Sequence, residues 1–385
     1  MNIAIIGIGQ TKFGELWESS LQDLLAYSQL AALKDANISA QEIEALVVGN
    51  MCGESTGGQV HLGALAAHIL NLNVPSMRVE GACASGALAL QQGIALIEAG
   101  KAEVVLVSGV EKLTDVDAGT LATSMIGASL QETDHFVGLT FPSLFALITR
   151  LYFNEHGITR KHLAHVSVKN HLHASLNPNA HFTKDISLET ALHAPMVADP
   201  LGLFDCAPVS DGAASIIITT PEFAKRKGIK PVLIIGSGVA TDSLMFGERT
   251  TLTSFVATKL AAHSAYQQAG IEPENIDLVE VHDAFTMAEI MALEDLGFFE
   301  PGQAAYATQK GTTKFNGTLP VNMSGGLKAQ GHPVGATGLA QIIELIRQLR
   351  GTAGKRQIAN ARTGLAHNMG GIGSTVAVHI LASNH

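Results

Sequence analysis

Two stretches of this chain repeat each other, and the repeat limits the fold more than any other feature. Cys83 to Ile97 (CASGALALQQGIALI) and His332 to Ile346 (HPVGATGLAQIIELI) agree at Gly86/Gly335, Ala87/Ala336, Leu90/Leu339, Gln92/Gln341, Ile94/Ile343, Leu96/Leu345 and Ile97/Ile346. Both segments open on small residues and carry apolar positions at helical spacing on nearly all sides, which marks helices buried between layers. A second pair, Ala36 to Val48 and Ala269 to Val281, reads as a helix followed by a strand and matches Ile38/Ile271, Ile43/Ile276 and Val48/Val281. Each half therefore owns one central helix.

Short β-branched runs lie around these segments: Ile3 to Ile8, Val104 to Ser108, Ala214 to Thr219, Val232 to Gly236, Leu278 to Val281 and Thr375 to Leu381. They read as buried strands, and strands alternating with helices give an α/β protein. Two such halves with their twin helices back to back predict a five-layer α-β-α-β-α sandwich. The halves are expected at residues 1–222 and 223–385. Between about Asp115 and Ser210 the pattern breaks into helices and loops punctuated by Asn177-Pro178, Ala194-Pro195 and Asp199-Pro200, which reads as a loop domain inserted into the first half.

Composition removes several classes of function. A charge of -10 with no basic run argues against nucleic acid or an anionic membrane as the main partner, since phosphate binding rests on clustered Lys and Arg. One Trp and four Tyr offer no stacking platform for bases. No apolar stretch reaches the roughly 20 residues of a membrane span. Met1 to Gly9 lacks a basic leader and a small-residue cleavage site, so it reads as a first strand and not as a signal peptide. The odd, scattered set Cys52, Cys83 and Cys206 fits a reducing, cytoplasmic compartment.

The chemistry centres on Cys83. It follows Gly81-Ala82 and precedes a predicted helix, where unpaired N–H groups and the helix dipole favour a thiolate. Its counterpart in the other half is His332, in Gly331-His332-Pro333, with the proline expected at the second helical position. A helix-start imidazole facing a helix-start thiol makes a base and a nucleophile. His282 ends the strand Leu278 to Val281, at the carboxyl edge where open α/β sheets place ligand groups. Asp283 beside it would orient a ring or cap the helix Thr286 to Leu296. His367-Asn368-Met369-Gly370-Gly371-Ile372-Gly373 reads as a glycine-rich bend whose N–H groups approach an oxyanion, with His367 and Gly370 as substrate-binding residues.

Other signals fail. Gly7-Ile8-Gly9 lacks the third glycine and the acidic residue of a dinucleotide site, and Gly53 to Gly58 lacks the Lys of a phosphate loop. Seven of the 16 histidines fall between His156 and His193 in no zinc spacing, and they read as surface and loop residues. No metal site is expected.

With these residues in place, the chain resembles the thiolase superfamily over nearly its whole length, on the branch related to sterol carrier protein X thiolase and the archaeal acetoacetyl-CoA thiolases. GACASGALAL is similar to the nucleophile segment, SDGAAS to the strand after the loop domain, GGLKAQGHPVGATG to the catalytic-histidine segment and HNMGG to the closing glycine loop. The resemblance implies reversible Claisen condensation of coenzyme A thioesters, with no tightly bound cofactor. Cys83 would carry the acyl group, His332 would take its proton, and His282 with His332 would hold the enolate. The N–H groups of Cys83 and of the Met369 to Gly370 turn would hold the tetrahedral oxyanion, and residues 115–210 would cover the pantetheine arm. The family's second cysteine, a base for the α-proton, is replaced here by His367, and the sterol-carrier branch's alternative position holds Ala284. The base is thus left between His367 and His332, with Cys206 read as structural.

Two other readings stay open. One is a decarboxylating ketoacyl synthase-like or retro-aldolase enzyme of the same fold, because a Cys-His-His set also suits those reactions. The other is a catalytically weak acyl-binding subunit working with an accessory protein. A homodimer or homotetramer is expected, since two-fold dimers are the commonest assemblies and the resemblance implies dimers or dimer pairs.

Overall fold

The computed structural model describes residues 3–383. Residues 1, 2, 384 and 385, which belong to the expected first and second halves, lie outside the described residues.

The chain opens with β1 (Ile3–Gln10), α1 (Leu21–Ala36), β2 (Ala45–Gly49), α2 (Gly53–Gly57), α3 (Leu62–Ile69), β3 (Ser76–Val79), α4 (Ser85–Glu98) and β4 (Val104–Glu111). It then leaves the sheet for α5 (Ala118–Ile126), α6 (Phe141–His156), α7 (Arg160–Ala174), α8 (Leu188–Leu192) and the small hairpin β5 (Met196–Ala198) and β6 (Leu201–Gly202). It returns through β7 (Gly212–Thr219) and α9 (Pro221–Arg226). The rest is β8 (Val232–Thr241), α10 (Val256–Ala269), β9 (Leu278–Glu280), α11 (Thr286–Asp295), α12 (Ala304–Lys310), α13 (Gly326–Gln330), α14 (Val334–Leu349), β10 (Thr363–Gly370) and β11 (Thr375–Ser383).

The main sheet runs β3-β2-β4-β7-β1-β8-β11-β10-β9. Setting β2 against β9, β4 against β10, β7 against β11 and β1 against β8 makes this order a palindrome, with β3 added at one edge. The directions mirror as well: β2 and β4 are parallel like β9 and β10, while β4 to β7 to β1 and β10 to β11 to β8 alternate antiparallel. Among the described residues, Ile3–Ile5 against Val232–Ile234 joins the two halves edge to edge. The repeat read from sequence is thus a two-fold repeat of topology.

Helices α4 and α14 pack against each other in the middle. α14 touches β4 and β7 on one side and β9 and β10 on the other, while α1 covers the outside of the first half and α10 the outside of the second. These are the five layers. The contact between the twin helices needs their glycines: a Cβ on Gly86 would lie 2.6 Å from the Gly335 carbonyl oxygen, and one on Gly338 would lie 2.6 Å from the Ala87 nitrogen. The backbones meet so closely because these glycines carry no side chain.

Several expectations are corrected. Ala36 to Val48 and Ala269 to Val281 each hold the last residue of a helix, a single 3₁₀ turn (Ala40–Glu42 and Pro273–Asn275) and then a strand, so the repeated unit is a turn and strand more than a helix. His367 to Gly370 belong to strand β10 and pair with β11 in register, Gly370 opposite Thr375, so the bend comes only after them. Pro333 precedes α14 as its N-cap residue instead of sitting second in the helix. His171 and His173 are buried on α7, which packs against α8, α11, α12 and α13. They are not surface residues, and His173 is locked between the Asn322 carbonyl and the Phe315 N–H at 3.1 and 3.2 Å.

Candidate active site

Cys83 is presented by a strained turn. After β3, Ala82 adopts φ 53°, a left-handed conformation that costs a non-glycine residue roughly 1–2 kcal/mol. Three contacts hold it there. The Ala82 N–H donates to the Glu80 carboxylate at 2.6 Å, the Ser85 hydroxyl donates to the Ala82 carbonyl at 2.6 Å, and the same hydroxyl accepts the Gly81 N–H at 3.0 Å. Cys83 therefore sits in a 3₁₀ turn, Ala82–Ala84, that leads into α4.

The expected thiolate is not favoured there. Burial pushes the Cys83 thiol up to about 12, outweighing the N–H groups of Gly371 and of Cys83 itself that hydrogen-bond the sulfur. Helix-start geometry stabilises the anion, but removal from water costs it more. The resting sulfur is a neutral thiol that needs a base. The N–H that reaches it from the closing loop belongs to Gly371, one residue beyond the Met369 to Gly370 turn. Gly370 makes room instead, since a Cβ there would lie 2.4 Å from the Gly81 carbonyl oxygen.

The ligand-capable atoms of Cys83, His282 and His332 all lie within 4.8 Å of one another. The two imidazole rings stand edge to face, centroids 5.1 Å apart and planes at 88°. His332 follows α13, and Gly331 before it takes φ 109° with no space for a side chain beside Ser210. The His332 N–H donates to the Ser210 hydroxyl at 3.3 Å, which ties the SDGAAS segment to the GHP segment.

Hydrogen bonds assign opposite roles to the two rings. The Thr337 hydroxyl donates to the Pro333 carbonyl at 3.0 Å, so it accepts from His332 Nδ1 at 2.8 Å. Nδ1 then carries the proton, and Nε2 is left as a buried lone pair with no partner. In His282 the arrangement reverses: Asn368 Nδ2 donates to Nδ1 at 3.0 Å, so the proton sits on Nε2. Burial pushes His332 down to about 3 and His282 well below the usual imidazole range, so both rings are neutral near pH 7. A thiol and two imidazoles would suit zinc by residue type. The protonated Nε2 of His282, however, has no lone pair to offer a metal.

Asp283 neither orients the His282 ring nor caps α11. Its carboxylate accepts the Leu327 N–H at 2.6 Å and the Lys328 N–H at 3.4 Å, capping α13 and so aiming the segment that ends in His332. Asn170 of α7 completes it at 2.6 Å. Glu111, buried at the end of β4, accepts the N–H groups of Met51, Cys52 and Gly335 at 2.8 to 3.0 Å, bracing the start of α14.

His367 is not brought together with the cluster. It is fully buried, its Nε2 donates to the Thr258 hydroxyl at 3.0 Å, and its Nδ1 accepts the His282 backbone N–H at 3.4 Å. Both nitrogens are spent on structure. Cys206 lies beside the HDAF segment, bridged to Phe285, but its sulfur faces the Gly202 carbonyl at 3.6 Å. Sequence reasoning passed over Asn368, Gln341 and Thr337. The signal was present: Thr337 and Gln341 are polar positions on a helix buried nearly all round, and Asn368 is a polar residue in a buried strand.

Comparisons with known proteins identify the family and the fold. Residues 3–222 match the family described as "Thiolase, N-terminal domain" and residues 238–383 match "Thiolase C-terminal domain-like". The chain is 46% identical to an acetyl-CoA acetyltransferase of Methanothermobacter thermautotrophicus, covering 99% of both chains. It is 34% identical to human sterol carrier protein 2, covering 98% of this chain and 71% of that one. Among solved structures it resembles an Ltp2-ChsH2(DUF35) aldolase at TM-score 0.86 and 25% identity, covering 100% of this chain and 98% of that one.

Proposed function

The chain belongs to the thiolase family, and from that premise we propose that it is an acetyl-CoA acetyltransferase whose acyl group travels on Cys83. The observation that carries the reading is the opposed pair of imidazoles beside a buried thiol: one bare Nε2 to take a proton and one Nε2–H to give a hydrogen bond.

In the first half-reaction the Cys83 sulfur attacks the thioester carbonyl carbon while its proton passes to His332 Nε2. The N–H groups of Cys83 and Gly371 hold the tetrahedral oxyanion. The carbon-sulfur bond to coenzyme A breaks, and the leaving thiolate takes the proton from His332. In the second, His332 Nε2, free again, removes an α-proton from a second acetyl thioester. His282 Nε2–H holds the enolate oxygen. The enolate carbon attacks the acyl carbonyl, and the Cys83 thiolate leaves and recovers the proton from His332. Assigning the α-proton to His332 is supported by the engagement of both His367 nitrogens. His367 and Gly370 thus shape the site instead of binding substrate directly.

The likeness to the Ltp2-ChsH2(DUF35) aldolase, named for two components, favours one other reading: carbon-carbon cleavage assisted by an accessory protein. The division into residues 1–222 and 223–385, with residues 115–210 as a cover over the pantetheine arm, belongs to the same proposal. It is supported by the palindromic sheet. A cytoplasmic home is supported by three unpaired cysteines, and no described helix is long and apolar enough to cross a membrane. A homodimer is supported by the half-exposed edge strand β3, which offers an open hydrogen-bonding row.

Intact-protein mass spectrometry tests the reading. Acetyl-CoA should add one acetyl group to the parent and none to Cys83→Ala, and acetoacetyl-CoA plus coenzyme A should be cleaved only by the parent. An acyl adduct without cleavage would favour a condensing enzyme with another acceptor or a subunit awaiting an accessory protein, and an unmodified Cys83 would remove the acyl-carrier role and leave the aldolase reading, which needs no acyl-enzyme.

A further inference from the structure

We propose that Gln341, which touches no reacting atom, is a positioning residue that fixes the tautomer of His282 through Asn368. The inference rests on the donor role given to His282 above, but its evidence is a chain of hydrogen bonds whose direction can be read from one end.

That end is the backbone carbonyl of His367 in β10. A carbonyl can only accept, so the group of Gln341 facing it at 3.0 Å is the amide nitrogen. Gln341 Oε1 must then face the other way, and it accepts from Asn368 Nδ2 at 3.0 Å. Asn368 is fixed in turn, because reversing its amide would set two oxygens against each other. Its remaining N–H donates to His282 Nδ1 at 3.0 Å. The imidazole proton is thereby confined to Nε2, the only ring nitrogen left to face substrate.

The relay is enclosed by the fold. Gln341, Asn368 and His282 are each 1 to 2% exposed, so water is not at hand to reverse any member. The relay also leaves a mark: Asn368 Oδ1 is buried without a partner beside Gly338, where a Cβ would come within 2.9 Å of it. Buried unsatisfied acceptors are rare in native proteins and point to a constraint elsewhere. Here the amide gives up a bond to its oxygen so that both its protons can point at fixed acceptors.

The relay runs through the same helix that sets the other ring. Thr337 and Gln341 are four residues apart on α14, hence on one face, and Thr337 holds the His332 proton on Nδ1. One face of one helix thus writes opposite protonation onto the two rings, the arrangement a reaction with one base and one donor requires.

The test uses full-length protein with ¹⁵N-labelled histidine and long-range nitrogen-proton correlation, with His282→Gln identifying the signals. The parent should show His282 protonated at Nε2. Asn368→Asp should move the proton to Nδ1, because a carboxylate only accepts, and should lower kcat for condensation roughly 10²-fold, the effect of losing one oxyanion donor, with KM changed less than about twofold. Gln341→Leu, of similar volume, should produce a mixture of tautomers and an intermediate loss. Gln341→Glu should restore the Nε2 form, since a protonated carboxyl can donate to the His367 carbonyl and accept from Asn368. An unchanged His282 spectrum in folded Asn368→Asp and Gln341→Leu would overturn the proposal. A moved proton with unchanged kcat would leave the relay standing and overturn the donor role of His282.

Discussion

The Thr337 hydroxyl lies 2.8 Å from His332 Nδ1, and its own proton is committed to the Pro333 carbonyl at 3.0 Å. The proposed catalytic base is therefore oriented by a residue one turn into the helix that follows it. Thr337→Val preserves shape and removes the acceptor. It should slow acetylation of Cys83 by roughly 10²-fold, at the lower end of what a general base contributes, whereas Thr337→Ser should retain most of the rate. Quenched-flow mass spectrometry of the acetyl adduct reads both.

Alkylation of Cys83 should follow the chemistry of a neutral thiol. Burial pushes it up to about 12 and pushes His332 down to about 3, so between pH 6 and 9 neither group titrates. The thiolate fraction then rises about tenfold per pH unit, and the iodoacetamide rate should do the same without a plateau. A flat rate across this range would mean a preformed thiolate and imidazolium. Peptide mapping should still place the label on Cys83 ahead of Cys52, which is 1% exposed, and Cys206.

His367→Ala should behave as a packing defect. It strands the Thr258 hydroxyl and the His282 N–H, each a loss of about 1–3 kcal/mol when buried. Urea denaturation should show a stability loss of that order, and acyl transfer and cleavage should fall together. Slowed cleavage with normal stability and normal acylation would return His367 to the role of α-proton base.

Gly86→Ala should cost about 1–3 kcal/mol, since the new methyl would press on the Gly335 carbonyl from 2.6 Å and push the twin helices apart. Gly57→Ala, where a Cβ meets nothing within 4 Å, should fall within about 1 kcal/mol of the parent. Equal midpoints for the two variants in urea would contradict the close packing of α4 and α14.

Asp283→Ala removes the acceptor for the Leu327 and Lys328 N–H groups and for the Asn170 amide. A stability loss of about 2–4 kcal/mol is expected from the lost cap and the buried donors. Because α13 aims His332, Cys83 acetylation should slow in the same variant, and Asp283→Asn should recover part of both.

Much of this protein is determined by the sequence alone, wherever the information is local or periodic. The glycines and apolar positions shared by residues 83–97 and 332–346 dictate twin helices buried back to back, because only that packing hides residues apolar on all sides. Cys83 and His332 follow from the same repeat, since equivalent positions in two-fold related halves are brought together. Tertiary structure decided the rest. The charge of Cys83 depends on burial by distant segments, and that burial overrides the helix-start effect visible in the sequence. The partners of Asp283, His367 and Asn368 lie far away along the chain, on α13, α10 and α14, so no local pattern could say which would cap, which would brace and which would hold a proton in place. A hydrogen bond has a direction only once both ends are fixed in space, and here the fixed end is a strand carbonyl that residue identity does not reveal.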